Sequence, residues 1–371
     1  MNKSTKIIAA IIILLAIVGV VIGVGTQKTP HTVKIGAALA LTGNSSAQGE
    51  LAKRGVEIAI EQLKSQGINN IEVVFEDTQT DPKLAVNAWK KLTEIDHVKG
   101  VLAYSSPVSM ALAPLANSGE IPLFGIVSAP AYQSPDDYTY RIIGSAALEI
   151  KAAESAILET LKAKRLAIIF MNNDYGKSVD VALKNQLKDK INLVAEESFL
   201  PTDTDYRSGL TKIKSANPDL IYIAASGKDA GIVIKQAKAL GINGNYMCSA
   251  ACENQDTINA ASGSAEGMVV ATPTGKMLPT FEALYQQKFN DEPIFATLRM
   301  YDATMILGTA LNFCEKENFA GSCVTKNIAA IKDFPGASYA VNFDRNGDIN
   351  DQFVLKIVKE GKWTEYDRVQ Q

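Results

Sequence analysis

Small hydroxyl residues recur in this chain where an apolar run gives way to a helical pattern: Thr42 to Ser46, Ser105 and Ser106, Ser128, and Ser226. At the start of a helix a hydroxyl joins unpaired backbone N–H groups at the positive end of the helix dipole, and the group this arrangement suits is an anion such as a carboxylate. Any one of these residues is also an ordinary N-cap. Their return at the same place in successive units is what selects the binding of a small carboxylate as the chemistry to expect.

Catalytic chemistry finds little support. "YGKS" at 175–178 ends like a phosphate loop, but the glycine required five positions before Gly176 is Met171. "DRNGDINDQFVL" starts like a calcium loop, yet its sixth position is Ile349 and its twelfth Leu355. There is no Gly-x-Ser-x-Gly elbow, and the only two histidines, His31 and His97, lie outside the strand-end loops, so a Ser-His-Asp arrangement is not expected. Glu76 and Asp77 are neighbours in a strand and point to opposite faces. The four cysteines form two local pairs, Cys248 with Cys252 and Cys314 with Cys323; neither has a paired knuckle or a nearby histidine, so zinc is not expected. Cys314 and Cys323 are the better disulfide candidates.

The elements that must position these residues alternate. "VKIGAALAL" (33–41) reads as a buried strand and 49–65 as a helix with Val56, Ile60 and Leu63 on one face. Strand "IEVVFED", helix "DPKLAVNAWKKLTEI", strand "VKGVLAY", helix "PVSMALAPLANSG" and strand "IPLFGIV" follow. After "YRIIGSA" a helix over 147–162 restarts the rhythm, and strands "RLAIIFM", "NLVAEESFL", "DLIYIAA" and "NYMCSA" alternate with helices up to "EGMVVATP". Alternation of this kind demands parallel sheets covered by helices on both faces, so the expected fold is α/β with two doubly wound lobes. Helices around 277–290 and 296–315 come next, then two strands about Asn346-Gly347 and a second turn at Glu360-Gly361.

The length of 371 residues, 47% hydrophobic, supports two such lobes. A formal net charge of −3, from 37 basic and 40 acidic residues spread along the chain, gives no nucleic-acid footprint. Lys3 and Lys6 precede an uncharged apolar run from Ile7 to Gly25, which at about 1.5 Å per residue nearly crosses a bilayer core of roughly 30 Å. Residues 1–27 are expected to be an export signal, either an uncleaved membrane anchor or a cleaved peptide ending near Gly23 and Gly25. The absence of any cysteine before Cys248 argues against a lipid-modified N-terminal cysteine, and the body of the protein is expected outside the cytoplasm, in the periplasm or on the outer face of the membrane.

From about residue 32 to 366 the chain resembles the solute-binding proteins of ABC transporters, in particular the leucine/isoleucine/valine-binding family of type I periplasmic binding proteins. The resemblance is carried collinearly by "KIGAALALTG...QG.....G", "DTQTDPKLAVNAWKKL", "GVLAYSSPVSMALAPLA", "IPLFGIVSA", "YRIIGS", "RLAIIFMNNDYGKS", "DYRSGLTKIKSANPDLIYIAASGKDAGIVIKQAKALG", "SAEGMVVATP", "YDATMIL" and "FDRNGD". It implies three crossings between lobes, with 32–145 plus 273–340 in lobe one and 146–272 plus 341–371 in lobe two. It also implies a monomer without cofactor whose lobes shut over a small molecule and whose closed form docks on a membrane permease. A ligand-sensing subunit of a receptor system, using the same fold, is the other class considered.

Carried over residue by residue, the resemblance puts the ligand's carboxylate at Ser106, with Ser105 and Tyr104 beside it. Val127, Ser128 and Ala129 correspond to the segment that contacts the ligand by backbone and hydroxyl, and Tyr175 to the tyrosine that enters from lobe two. Four positions depart from the pattern. Gln48 replaces an aromatic residue, Ser226 a tyrosine, Ala129 a hydroxyl residue, and Ala250 the acid that pairs with the ligand ammonium. An ammonium enclosed without a carboxylate is costly, so a carboxylic acid or amide lacking that group is the rival to an amino acid. Glu253 or Asp229 is the expected substitute for the missing acid, and Arg299 a group for a second carboxylate or a surface ion pair.

Overall fold

The computed structural model describes residues 32–129, 132, 136–273, 277–349 and 351–366; the N-terminal apolar run lies outside them. No helix among the described residues is long and apolar enough to cross a membrane.

The first lobe is built from β1 (Val33–Leu39), α1 (Ser46–Ser65), β2 (Ile71–Asp77), α2 (Pro82–Lys90), β3 (Val101–Tyr104), α3 (Ser106–Gly119), β4 (Leu123–Ile126) and β5 (Thr139–Arg141). Its five strands are parallel, in the order β2-β1-β3-β4-β5. The period-two geometry of a strand sends Ile35, Ala37 and Leu39 into one buried layer and Ala38 into the other, which is why β1 reads as an unbroken apolar run. Asp81 caps α2 by accepting the N–H groups of Lys83 (2.7 Å) and Leu84 (3.0 Å), with Pro82 in the first turn where no N–H is needed.

The second lobe repeats the plan. α4 (Ala146–Ser155), β6 (Arg165–Met171), α5 (Asp174–Gln186), β7 (Asn192–Phe199), α6 (Arg207–Ser215), β8 (Leu220–Ala224), α7 (Gly227–Ala239), β9 (Asn245–Cys248), α8 (Gln255–Ala261) and β10 (Val269–Pro273) precede the return of the chain to lobe one. Its parallel strands run β7-β6-β8-β9-β10, the same order as the first sheet, and β6 likewise divides between two cores, Leu166, Ile168 and Phe170 against Ala167, Ile169 and Met171. In each sheet the order reverses between the first and third strands, and the crevice beyond their carboxyl ends is where such sheets hold ligands.

α9 (Pro279–Phe289), α10 (Phe295–Phe313) and α11 (Gly321–Ala330) rejoin the first core. α10 lies directly on α1, and the closeness is set by Gly55, where a Cβ would collide with the Thr297 carbonyl oxygen. β11 (Phe334–Pro335) and β12 (Ala340–Val341) form a small hairpin, and β13 (Phe353–Lys359), antiparallel to β10, and β14 (Lys362–Glu365), antiparallel to β13, extend the second sheet.

The tail departs from its expected form. Among the described residues only Phe343 and Ile349 bridge across Asn346-Gly347, because both side chains join the first core, where Phe343 meets Phe124 at 5.9 Å and Tyr140 at 5.4 Å. The Asp344 carboxylate holds that turn instead, accepting from Asn346 N at 2.8 Å and Asp348 N at 3.0 Å. The true hairpin turns at Glu360-Gly361, both at positive φ. The chain therefore stays with lobe one past position 341, through Ile349.

Arg299 differs more sharply. It is 0% exposed. Its guanidinium meets Asp351 at 2.9 Å and Asp302 at 3.4 Å, donates to Ser338 Oγ at 3.1 Å and lies over the Tyr339 ring at 4.5 Å. Asp351 also accepts from Tyr339 Oη (2.6 Å) and, through its other oxygen, from Gly144 N (2.8 Å). Arg299 thus ties α10 to two of the segments that run between the lobes, and is neither a ligand group nor a surface ion pair.

Candidate functional site

In lobe one, Asp77 at the end of β2 organises the loop after β1. Its carboxylate accepts from Leu41 N (2.9 Å), Thr42 N (3.2 Å), Thr42 Oγ1 and Gln79 N (3.1 Å). Burial works against its charge, but these donors outweigh burial and hold its pKa below the usual carboxylate value. The loop thus fixed leads into α1, whose first turn carries Gln48. Gln48 is 3% exposed, and neither its side-chain oxygen nor its nitrogen has a partner among the described residues.

Ser105 joins β3 to α3 with φ 86°, a conformation that non-glycine residues adopt at a cost of about 1–3 kcal/mol. Its Oγ is buried without a partner among the described residues. Ser106 begins α3 and its Oγ accepts from Ser128 N at 3.0 Å, so this hydroxyl also stitches β3 to the segment after β4. The side chains of Val127 and Ala129 lie in a core of the lobe, and Arg141 Nη1 donates to the Val127 carbonyl at 2.6 Å. The Ser128 carbonyl accepts from Ala146 N at 3.1 Å.

In lobe two, Tyr175 stands in the first turn of α5, which Asn173 caps through Gly176 N at 2.9 Å. Its hydroxyl accepts from Ala251 N at 3.2 Å and bonds the Ser249 side chain. Burial raises its pKa well above the normal phenol value, with further contributions from Glu149 and from Tyr104 of the opposite lobe, so it is neutral. Burial likewise raises the Tyr104 phenol. Ser226 is the residue before α7 and makes no capping bond with its side chain.

The lobes meet here. A Cβ on Gly227 of lobe two would collide with Gln48 Nε2 of lobe one, and α3 touches α5 across the cleft. Gln48 and Gly227 thus meet across the junction, as do Tyr104 and Tyr175, whose hydroxyl also holds the Ala250 loop through Ala251 N. Shut in this way, the cleft encloses polar atoms that the chain itself does not satisfy, and unpaired buried polar groups are costly.

The loop carrying Ala250 follows β9 and is closed by a Cys248–Cys252 disulfide, with Cα atoms 6.4 Å apart. Cys314 and Cys323 are bonded as well, at 6.0 Å. The substitutes expected for the missing acid are engaged elsewhere: Glu253 binds Lys356 and Thr272, and Asp229 accepts from Tyr206 Oη at 3.0 Å. The carboxylate beside Ala250 is Glu149, in the first turn of α4. Glu149 is 2% exposed, and its Oε1 accepts from Ala250 N and from Tyr222 Oη, both at 3.1 Å. Burial raises its pKa to about 7 against the lowering effect of these two bonds. Sequence reading passes over Glu149 because an acid in the first turn of a helix is what the helix dipole alone would favour.

A family model described as "Periplasmic binding protein" matches residues 32–357. The chain is 25% identical over 360 residues to the leucine-, isoleucine-, valine-, threonine- and alanine-binding protein of Pseudomonas aeruginosa, covering 94% of this chain and 95% of that one. It is 27% identical over 289 residues to the leucine-specific-binding protein of Salmonella typhimurium, with 74% of each covered. In structure it resembles a leucine-binding protein from Thermotoga maritima (TM-score 0.82, 24% identity, 91% and 98% covered). It also resembles a branched-chain amino acid transporter substrate-binding protein from Streptococcus pneumoniae, solved with isoleucine (TM-score 0.81, 22% identity, 90% and 97% covered). The matching strand order of the two lobes, the crevice between them and the near-complete coverage agree: the chain belongs to the periplasmic binding protein family, a family of binding proteins rather than enzymes, in its type I form and as a distant homologue of the leucine/isoleucine/valine-binding proteins.

Proposed function

We propose that this protein is the extracytoplasmic solute-binding component of an ABC importer. It captures an amino acid with an apolar side chain between its lobes and delivers it to a membrane permease in the closed form. The observation that carries this reading is Gln48, a buried amide with both polar atoms unpaired at the point where the two lobes touch. Ser105 adds a second unpaired hydroxyl, and the start of α3 offers backbone N–H groups for a carboxylate. The amino-acid assignment is supported by the names of the relatives from Pseudomonas and Salmonella. Ala250, where the family carries an acid, favours one rival, a carboxylic acid or amide without an ammonium group.

A thermal-shift screen of the purified protein against amino acids, small carboxylates, amides and sugars tests the reading. A solute at about a hundred times its dissociation constant adds roughly 2.7 kcal/mol to the folded state, a rise of a few degrees for a protein of this size. Leucine, isoleucine or valine is expected to give that rise. A shift with sugars alone would contradict the proposal, and a shift with carboxylates or amides alone would favour the rival.

A further inference from the structure

We infer that Glu149 is the residue that receives the ammonium group of the bound amino acid, in place of an acid at position 250. The inference rests on the amino-acid reading above and deepens it.

Three observations converge on Glu149. It stands directly behind Ala250: the N–H of Ala250 points at its carboxylate, so the acid reaches the loop from α4 rather than from the loop itself. Both hydrogen bonds to the group go to Oε1, from Ala250 N and Tyr222 Oη, which leaves Oε2 with no partner among the described residues. No cation among the described residues is paired with it, although buried carboxylates normally require one. The titratable groups around it are phenols, Tyr222 from β8 and Tyr175 from α5, the latter reaching toward Tyr104 on the opposite wall. An ion pair therefore awaits a positive charge from outside the chain, and the ammonium of an amino acid whose carboxylate is held by lobe one would supply it.

The same geometry separates amino acids from their des-amino counterparts. Without a cation Glu149 holds its proton near neutral pH, since burial lifts its pKa to about 7. An arriving ammonium favours the carboxylate form, and the proton leaves Oε2 for solvent. A plain carboxylic acid brings no such charge and displaces no proton.

The experiment is calorimetric titration of the wild-type protein and of Glu149→Gln with L-leucine, L-isoleucine and L-valine, each beside its des-amino acid. Glutamine retains the Oε1 acceptor but not the charge. We expect the variant to lose at least about 30-fold in affinity for whichever of the three binds, the scale of losing one partner of a buried charge pair, with the des-amino acid changed by less than about threefold. Equal losses for both compounds, or none for either, would overturn the inference while leaving the amino-acid reading in place. A wild-type protein that binds none of the three contradicts that reading itself, and with it this role for Glu149. Should Glu149→Gln fail to fold, wild-type titrations near neutral pH in two buffers of unequal ionisation enthalpy decide the matter. Proton release with the amino acid and not with its des-amino acid is expected, and no release with either would overturn the inference.

Discussion

Gln48 in the first turn of α1 and Gly227 at the start of α7 belong to different lobes, yet they approach so closely that a Cβ at position 227 would press on the Gln48 amide and force it to move aside. A side chain at 227 therefore has to displace the Gln48 amide where the lobes meet. Gly227 is also at φ +45°, where glycine is at ease and other residues are strained.

Replacing Gly227 with valine is expected to hold the lobes apart. Affinity for the solute should fall at least about tenfold, equivalent to ~1.4 kcal/mol. Small-angle scattering should show no contraction when solute is added. Adding Gln48→Ala to this variant removes the collision and should restore the contraction.

Ser105 and Ser106 are adjacent but should behave differently. The Ser105 hydroxyl has no partner among the described residues, so Ser105→Ala should weaken solute binding by about 1–3 kcal/mol and leave the melting temperature of the free protein nearly unchanged. Ser106→Ala also strands the N–H of Ser128, so it should lower both affinity and the melting temperature. Calorimetry and thermal melts on the two variants separate these roles.

The two disulfides should differ in the same way. Cys314–Cys323 joins the end of α10 to α11 in the first core, and replacing both residues with serine should cost about 2–3 kcal/mol, read from urea unfolding. Cys248–Cys252 closes the loop whose N–H groups meet Glu149 and Tyr175, so its removal should cost affinity as well as stability.

The free protein should lose stability as pH rises from about 4.5 to about 7. Glu149 keeps its proton in the folded state up to about 7, whereas in the unfolded chain it ionises near 4.5, so the folded state binds more protons across this window. Asp302, lifted to about 7 chiefly by burial against the pull of Arg299, adds a loss of the same sign. Urea unfolding across the window should show a decline, of which Glu149→Gln removes a part on the order of 1–3 kcal/mol.

Much of the fold was legible because buried parallel strands must be continuous apolar runs, and Ile35 to Leu39 or Leu166 to Met171 admit no other reading once helical segments separate them. Ser105, Ser106 and Tyr175 stand out in the sequence as candidates because strand ends pass into helices there. At Val127 and Ala129 the alternation sends the side chains into a core, which leaves only their backbone to face a ligand. Arg299 and Glu149 were misread or passed over for one reason. A charge on a helix looks solvated in sequence, and only the packing of α10 against the crossing segments, or of α4 behind the Ala250 loop, shows what it meets. The Asn346-Gly347 turn suggested a hairpin, but its arms carry Phe343 and Ile349, and burial of those side chains in the first core outweighed strand pairing.

The central claim is that the closed cleft holds an amino acid on groups the chain leaves unpaired. Titration of the wild-type protein and of Ser105→Ala with L-leucine, L-isoleucine and L-valine tests it most directly. The account predicts saturable one-to-one binding of at least one of the three, weakened about 5- to 100-fold by the substitution. Binding of none of them, or binding that Ser105→Ala leaves unchanged, would contradict it.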